Sequence, residues 1–114
     1  MSDINQLISI IIPVFNESES IGFLLDEIIN VMAVNKFNFE LIVVNDGSKD
    51  NTQQVLKQLA VKISELSVIS LRKNYGQTAA MSAGFDNSKG DIVITLDGDL
   101  QNDPNDIPEL ISEI

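Results

Sequence analysis

Two carboxylates and one amide alternate with other residues near the carboxyl end of the chain. Asp97, Asp99 and Gln101 directly follow the apolar run 92–96 (IVITL). Their oxygens are hard ligands of the kind that Mg²⁺ and Mn²⁺ prefer. The pattern is typical of a divalent metal site at the end of a buried strand. Acidic residues also collect in ordinary turns, so the D-x-D pattern alone leaves both interpretations open.

Composition limits the chemistry that the chain can perform. The 114 residues include neither His nor Cys, which excludes disulfides, thiol nucleophiles, imidazole bases and zinc sites of the usual type. The net charge of -10 argues against nucleic acid or an anionic membrane as a partner, because both bind clustered Lys and Arg. A small anion neutralised by a metal ion remains a possible ligand.

Length and hydropathy indicate one globular domain. The chain is 44% hydrophobic, but it has no apolar run near the eighteen or so residues needed to span a bilayer. Its first residues, Met1-Ser2-Asp3, are not typical of a signal peptide. We therefore expect a cytoplasmic segment.

Buried strands alternate with amphipathic helices along the chain. The continuous β-branched run at 7–15 predicts a strand buried on both faces, 39–45 predicts a second buried strand, and further strands are predicted at 66–71 and 91–96. Helices are predicted from Ile21 to Met32 after Ser18 or Ser20, from Asp50 or Asn51 to Ile63, over 78–85 and from Pro104 onward. The order predicts a doubly wound, mostly parallel α/β sheet of Rossmann-like type. Pro13 should weaken the pairing of the first strand.

Polar side chains follow every predicted strand. If the strand order is 3-2-1-4, it reverses between the first and fourth strands, where ligands bind in such sheets. That order would place Glu17 beside Asp97 and Asp99 in a crevice. The strand-end residues are Asn16, Glu17, Asn45, Asp46, Arg72, Asn74, Asp97, Asp99 and Gln101.

Each of these features also has a structural interpretation. Asn16-Glu17 could simply open a helix, Asp46-Gly47-Ser48 is an ordinary turn sequence, and Arg72-Lys73 could be a solvated pair. Tyr75 could pack on the surface. The combination of four polar strand ends favours a ligand site.

The acidic crevice predicts a nucleotide diphosphate bound through a metal ion. Carboxylates with few cations nearby repel one another unless a divalent ion is bound, and Mg²⁺ often shares carboxylates with phosphate oxygens. The chain has neither a G-x-x-x-x-G-K-[ST] loop nor a G-x-G-x-x-G after the first strand. Arg72 and Lys73 are the nearby cations.

Four stretches together resemble the amino-terminal half of family 2 glycosyltransferases with the GT-A fold. They are ISIIIPVFNE (8–17), VVNDGSKDNT (43–52), RKNYGQTAAMSAGFDNSKGD (72–91) and ITLDGDLQNDP (94–104). Gln101 and the following Asp103-Pro104 are most similar to the branch of dolichol-phosphate mannose synthase and bacterial polyprenyl-phosphate glycosyltransferases. The resemblance runs from about Leu7 to the end of the chain.

The resemblance implies roles for individual residues. Asp97, Asp99 and Gln101 would bind the metal ion and the diphosphate. The implied nucleotide-binding residues are Pro13, Phe15, Asn16, Glu17, Asn45, Asp46 and Asp97, and the implied donor loop contains Arg72, Asn74 and Gly76. The family more often has Asp where this chain has Asn45, and Ala where it has Gly98. The first departure puts in doubt any contact to the nucleobase that needs a charge at that position.

The implied activity is transfer of a sugar, with inversion, from a UDP- or GDP-sugar to a polyprenyl or dolichyl phosphate, with Mg²⁺ or Mn²⁺ as cofactor. The acceptor-binding half and any membrane-anchoring helices would lie beyond Ile114, so membrane association would come through those parts, at the cytoplasmic face. No oligomeric state is predicted.

Three alternatives remain at this stage. The acceptor could be a saccharide, or the 114 residues could bind nucleotide without turnover. A metal-dependent phosphotransfer domain, such as a haloacid-dehalogenase-like phosphatase or a receiver domain, is disfavoured because its acidic motif follows the first strand, whereas here D-x-D follows the fourth.

Overall fold

Four parallel strands form one sheet in the order β3-β2-β1-β4 in the computed structural model, which describes residues 6–96 and 103–113. The strands are β1 (Leu7–Val14), β2 (Asn38–Asn45), β3 (Leu66–Ser70) and β4 (Ile92–Thr95). Both the parallel sheet and its 3-2-1-4 order confirm the prediction from sequence.

Each connection between strands contains a helix. The helices are α1 (Ile21–Val34), α2 (Thr52–Lys62) and α3 (Gln77–Asn87), and a 3₁₀ turn (Pro104–Asp106) leads into α4 (Ile107–Ser112). The third helix is longer than its predicted extent of 78–85. The last one begins with a 3₁₀ turn because Pro104 and Pro108 restrict the backbone there.

The sheet is covered on both faces because successive side chains of a strand point in opposite directions. Ile10 and Ile12 of β1 belong to the larger core, which includes Leu24 of α1 and Leu56 of α2. Ile11 lies in the opposite core with Ile42, Val44 and Ala80, the last from α3. Helices on both faces of a parallel sheet make this a doubly wound fold.

Pro13 does not interrupt the pairing of β1 with β2, contrary to the expected weakening. The register continues through Pro13↔Val44 and Val14↔Asn45. On the other side, the described pairs with β4 run as far as Ile11↔Thr95, and the Ile11 carbonyl accepts the Leu96 N–H. Since alternate residues of a parallel strand bond to the same neighbour, Pro13 faces the β4 side, and its missing N–H costs no bond to β2.

A buried polar cluster joins the strands at the opposite, amino edge of the sheet. Ser9 is completely buried; its hydroxyl donates to the Glu40 carboxylate and accepts the Gly90 N–H at 2.8 Å. The Glu40 carboxylate also accepts the Lys89 N–H at 2.7 Å. This cluster holds the connection from α3 to β4 and lies away from the carboxyl edge.

Candidate functional site

Three loops meet at the carboxyl edge of the sheet, as expected where parallel strands end together. They follow β1, β2 and β3 and comprise residues 15–20, 46–51 and 71–76. The fourth strand also ends at this edge. The predictions for Asp97, Asp99 and Gln101 fall outside the described residues, and so does the predicted neighbourhood of Glu17 with that acidic pair.

Asn16 joins the first loop to the second. Its backbone is left-handed, with φ of 55°. The side-chain oxygen accepts the backbone N–H groups of Lys49 at 2.8 Å and Asp50 at 3.4 Å, and the Asn16 N–H donates to the Ser48 hydroxyl at 2.9 Å. The side-chain oxygen of this predicted nucleotide-binding residue therefore holds the loop itself.

Glu17 is linked both to the second loop and to the start of α1. Its N–H donates to the Thr52 hydroxyl at 3.0 Å, and its carboxylate accepts the Ser20 hydroxyl at 2.7 Å. Ser20 is the N-cap residue, as one of the two predicted alternatives, but its hydroxyl does not cap a helical N–H. Glu17 is only partly buried, so its carboxylate remains accessible from the loop edge.

Asn45, where the family more often has Asp, is used as both donor and acceptor. Its amide nitrogen donates to Gln53 at 2.7 Å and its oxygen accepts the Ser48 N–H at 3.1 Å. Gln53 in turn accepts the Ser70 hydroxyl at 2.6 Å. A carboxylate could not donate to Gln53, so the amide fits this network of β2, α2 and β3.

Asp46 joins the second loop to the third. The residue is 4% exposed. One carboxylate oxygen accepts the Tyr75 N–H at 2.8 Å and the other accepts the Gly76 N–H at 3.0 Å. The turn interpretation expected a role within Asp46-Gly47-Ser48 and the ligand-site interpretation expected a contact with the nucleotide, whereas the observed bonds join residues about thirty positions apart.

Backbone packing reinforces this link. Gly47 has φ of 70°, as a turn glycine should, and a Cβ placed on it would lie 2.2 Å from the Lys73 carbonyl carbon. The Lys73 ammonium lies 5.2 Å from the centre of the Tyr75 ring, within the range of a cation–π contact. Little space is left between the second and third loops.

The remaining predicted residues lie at the same edge with different exposure. Pro13 is buried in β1, whereas Arg72 and Asn74 are exposed in the third loop. The side chains of Phe15 and Tyr75 are 39% and 54% exposed. Accessible aromatic rings beside polar groups are suited to stacking on a nucleobase.

Asp50 stabilises the start of α2. The hydrogen bond from the Thr52 hydroxyl is the main cause that lowers the pKa of Asp50 below its ordinary value of 3.8; partial desolvation opposes it, and the Thr52 N–H and Ser18 add to the lowering. The cap prediction of Asp50 or Asn51 is correct for position, since Asn51 is the N-cap residue, but the side chain that accepts hydrogen bonds from the start of the helix is that of Asp50.

The structure adds three residues that the sequence did not single out. The side chains of Ser48, Thr52 and Gln53 accept hydrogen bonds from Asn16, Glu17 and Asn45, respectively. Their partners lie between 8 and 35 positions away in sequence. Only the short S-x-x-x-T spacing after Asp46-Gly47 was available as a signal, and it is common in helix starts.

Metal-binding geometry is not found in the described part of the chain. Within residues 6–96 and 103–113, no three acidic side chains are grouped so that they could hold an ion. Asp97, Asp99 and Gln101, whose oxygens fit Mg²⁺ or Mn²⁺ by their chemistry, lie outside these ranges and remain a prediction. In the same ranges, no helix is long and apolar enough to cross a bilayer.

Comparison with known protein families identifies the family of the chain. Residues 9–114 match the model of Glycosyl transferase family 2. The chain belongs to this family. The resemblance seen in the four sequence stretches is therefore confirmed.

Two curated relatives are each named for a polyprenyl phosphate. The chain is 43% identical over 108 residues to dodecaprenyl-phosphate galacturonate synthase of Rhizobium johnstonii, covering 94% of this chain and 32% of that protein. It is 45% identical over 107 residues to undecaprenyl-phosphate 4-deoxy-4-formamido-L-arabinose transferase of Pseudomonas fluorescens, covering 93% and 31%. The chain thus spans about a third of the length of these relatives.

Solved structures with the same fold contain nucleotides and manganese. A mannosyltransferase of Pyrobaculum calidifontis in complex with GDP-Man and Mn²⁺ is 25% identical, with a TM-score of 0.71 over 81% of this chain and 27% of that one. Glucosyl-3-phosphoglycerate synthase of Mycobacterium tuberculosis, in complex with Mn²⁺, UDP and glucosyl-3-phosphoglycerate, is 28% identical, with a TM-score of 0.73 over 95% and 39%. Both support the predicted GT-A fold.

Proposed function

We propose that this chain is the nucleotide-sugar-binding part of an enzyme that transfers a sugar from a UDP- or GDP-sugar to a polyprenyl phosphate. The similarity to the two polyprenyl-phosphate sugar transferases carries the proposal, because it covers 93–94% of the chain at 43–45% identity. The solved relatives with UDP or GDP-Man bound support the nucleotide-sugar donor.

The carboxyl edge of the sheet would bind the donor. The exposed rings of Phe15 and Tyr75 provide apolar surface for the base, and Glu17 is a partly accessible acceptor for hydroxyl groups. The exposed third loop would place Arg72 and Asn74 near the phosphates. Asn16, Asn45 and Asp46 accept hydrogen bonds from the loops through their side-chain oxygens and so shape the site; their direct contacts to the nucleotide stay a prediction.

A Mg²⁺ or Mn²⁺ ion would be held by Asp97, Asp99 and Gln101. Such an ion supplies Lewis-acid stabilisation of the charge that develops on the leaving diphosphate. The manganese in the two solved relatives supports this cofactor. The guanidinium of Arg72 in the third loop would add to that stabilisation, since it can form two parallel hydrogen bonds to phosphate oxygens.

The reaction would be a direct displacement at the anomeric carbon. An oxygen of the acceptor phosphate forms a bond to that carbon as the bond to the nucleoside diphosphate breaks, which inverts the configuration. A phosphate monoester with a second pKa near 6 is largely ionised at neutral pH, so it needs little help from a general base. Acceptor-binding residues and membrane contact, at the cytoplasmic face, would come from the rest of the protein.

Thermal unfolding with nucleotide tests the proposal. UDP or GDP at a hundred times its Kd should stabilise the protein by about 2.7 kcal/mol, which shifts the Tm upward. The measurement is made with MnCl₂ and again with EDTA, and with AMP in place of UDP or GDP as a control. If neither UDP nor GDP raises the Tm, in MnCl₂ or in EDTA, this chain is not a donor-binding unit.

A further inference from the structure

We propose that Asp46 is a positioning residue for the diphosphate: it fixes the third loop, so its loss weakens binding of the phosphates as well as of the base. This inference rests on the proposed donor site. It differs from a direct contact to the nucleoside, which the resemblance implies for the position of Asp46.

Both carboxylate oxygens of Asp46 are already engaged with the third loop. They accept the N–H groups of the adjacent residues Tyr75 and Gly76 at 2.8 and 3.0 Å. Two parallel bonds to consecutive amides fix both the position and the orientation of that backbone segment. Hydrogen bonds to a charged acceptor are stronger than neutral ones, and burial at 4% exposure limits competition from water.

The carboxylate itself is held by the centre of the sheet. The Asp46 N–H donates to the Val14 carbonyl at 2.8 Å, which continues the ladder between β1 and β2. On the next residue, the absent side chain of Gly47 lets the Lys73 backbone approach. The segment from Lys73 to Gly76 is therefore held against the second loop at two points, Asp46 and Gly47.

The third loop connects this anchor to the phosphate-binding groups. Arg72 and Asn74 are exposed and lie within four residues of the two bonded amides. Gly76, with φ of 100°, is the N-cap residue of α3, so its position also sets where that helix begins. If the Asp46 bonds are lost, the third loop can move relative to the strand ends and carry the Arg72 guanidinium with it. Any ligand whose phosphates bind Arg72 then loses affinity.

A comparison of two ligands separates positioning from base contact. UDP with Mn²⁺ has a base, whereas pyrophosphate with Mn²⁺ has none. In Asp46→Asn, one oxygen is replaced by an NH₂ group that opposes a backbone N–H, while the size of the side chain is kept. We expect Asp46→Asn to weaken both ligands by about 10- to 100-fold in titration calorimetry.

Ser9→Ala is the matched control. It also removes a buried hydrogen-bonding group, but at the amino edge, so it lowers the Tm and should leave both Kd values within about twofold. Weaker binding of UDP alone in Asp46→Asn would overturn the proposal, as would unchanged binding of both ligands. Binding of UDP but not of pyrophosphate to the wild type would overturn it too.

Two further measurements do not depend on the folding of Asp46→Asn. The amides of Tyr75 and Gly76 should exchange with solvent at least about tenfold more slowly in the wild type than the amides of the same residues in an unstructured peptide. Gly47→Ala displaces the Lys73 backbone and should weaken pyrophosphate binding. Fast exchange of both amides, or wild-type affinity in Gly47→Ala, would overturn the inference. Failure of the wild type to bind UDP and GDP would instead count against the proposed function. The exchange rates of the Tyr75 and Gly76 amides are measured without ligand, so they test the Asp46 bonds independently of that outcome.

Discussion

Gly84 of α3 lies directly against Ile11 in the centre of the sheet. A Cβ placed on Gly84 would lie 2.4 Å from Cγ2 of Ile11 and 3.3 Å from its Cγ1. Ile11 is completely buried and β-branched, so its side chain has little freedom to rotate away. The missing side chain of Gly84 therefore sets how closely α3 packs on β1.

Gly84→Ala should destabilise the protein although alanine favours helices. The gain in helix propensity is about 1 kcal/mol, whereas overpacking a rigid core costs about 1–3 kcal/mol and here requires α3 or Ile11 to move. We expect a lower midpoint of urea unfolding with an unchanged m-value. A midpoint equal to or above that of the wild type would show that α3 moves without cost.

Gly22→Ala is the matched control for this effect. Gly22 lies in α1, and a Cβ there would meet no atom within 4 Å. The same substitution should therefore raise the free energy of unfolding, by about 0.5–1 kcal/mol. Opposite signs for the two variants would separate helix propensity from packing.

Two substitutions of Asn16 should separate its hydrogen bonds from its backbone conformation. Asn16→Gly keeps the left-handed backbone but removes the acceptor of the Lys49 and Asp50 N–H groups, which should cost about 1–2 kcal/mol. Asn16→Ala should cost about 1 kcal/mol more, because alanine is strained at φ of 55°. Equal free energies of unfolding for the two variants would contradict the strain.

The fold followed from the sequence because its signals are local. The apolar runs of strands such as 7–15 and the 3.6-residue pattern after Ile21 each report on one element, and parallel strands with helical crossovers allow few topologies. Errors were confined to the ends of elements. The continued pairing at Pro13 was not predicted, since the effect of Pro13 depends on which neighbour it faces, and the alternation along β1 turns it away from β2.

The site was only partly predictable because its contacts are not local. The strand ends correctly located Asn16, Asn45 and Asp46 at one edge of the sheet. Their partners could not be read from the chain: Asp46 bonds to Tyr75 and Gly76, about thirty residues later. Residue type showed that these side chains are polar, and their position after the strands indicated that they converge. Neither signal indicated that their oxygens accept hydrogen bonds from neighbouring loops.

The stability contributed by Asp50 should disappear at low pH. Its pKa is lower in the folded protein than the ordinary value of 3.8, chiefly because of the Thr52 hydroxyl. The folded state therefore prefers the charged form, so the contribution is present above pH 3.8 and is lost as the pH falls through the lowered pKa. The difference in free energy of unfolding between wild type and Asp50→Asn should shrink from pH 6 to pH 2.5.

The same pair of proteins in a Thr52→Val background provides the control. Valine keeps the shape of threonine but cannot donate to Asp50, so the dependence of the difference on pH should become smaller. Urea unfolding at four pH values measures this difference in the free energy of unfolding in both backgrounds. An unchanged dependence would assign the lowered pKa to Ser18 and the backbone instead of the hydroxyl.

Asp99→Ala should remove the metal-dependent part of nucleotide binding and leave the rest. If Asp97, Asp99 and Gln101 hold Mn²⁺ between the protein and the diphosphate, losing one carboxylate should weaken UDP in MnCl₂ by about 10- to 100-fold, with little change in EDTA. Asp106→Ala is the control, since this exposed carboxylate lies nearby in sequence and makes no capping bond. Calorimetric titration of both variants with UDP, with and without Mn²⁺, measures the effect. Equal affinity of wild type and Asp99→Ala in MnCl₂ would exclude Asp99 as a ligand, whereas a loss that is the same in EDTA would indicate a role in folding rather than in metal binding.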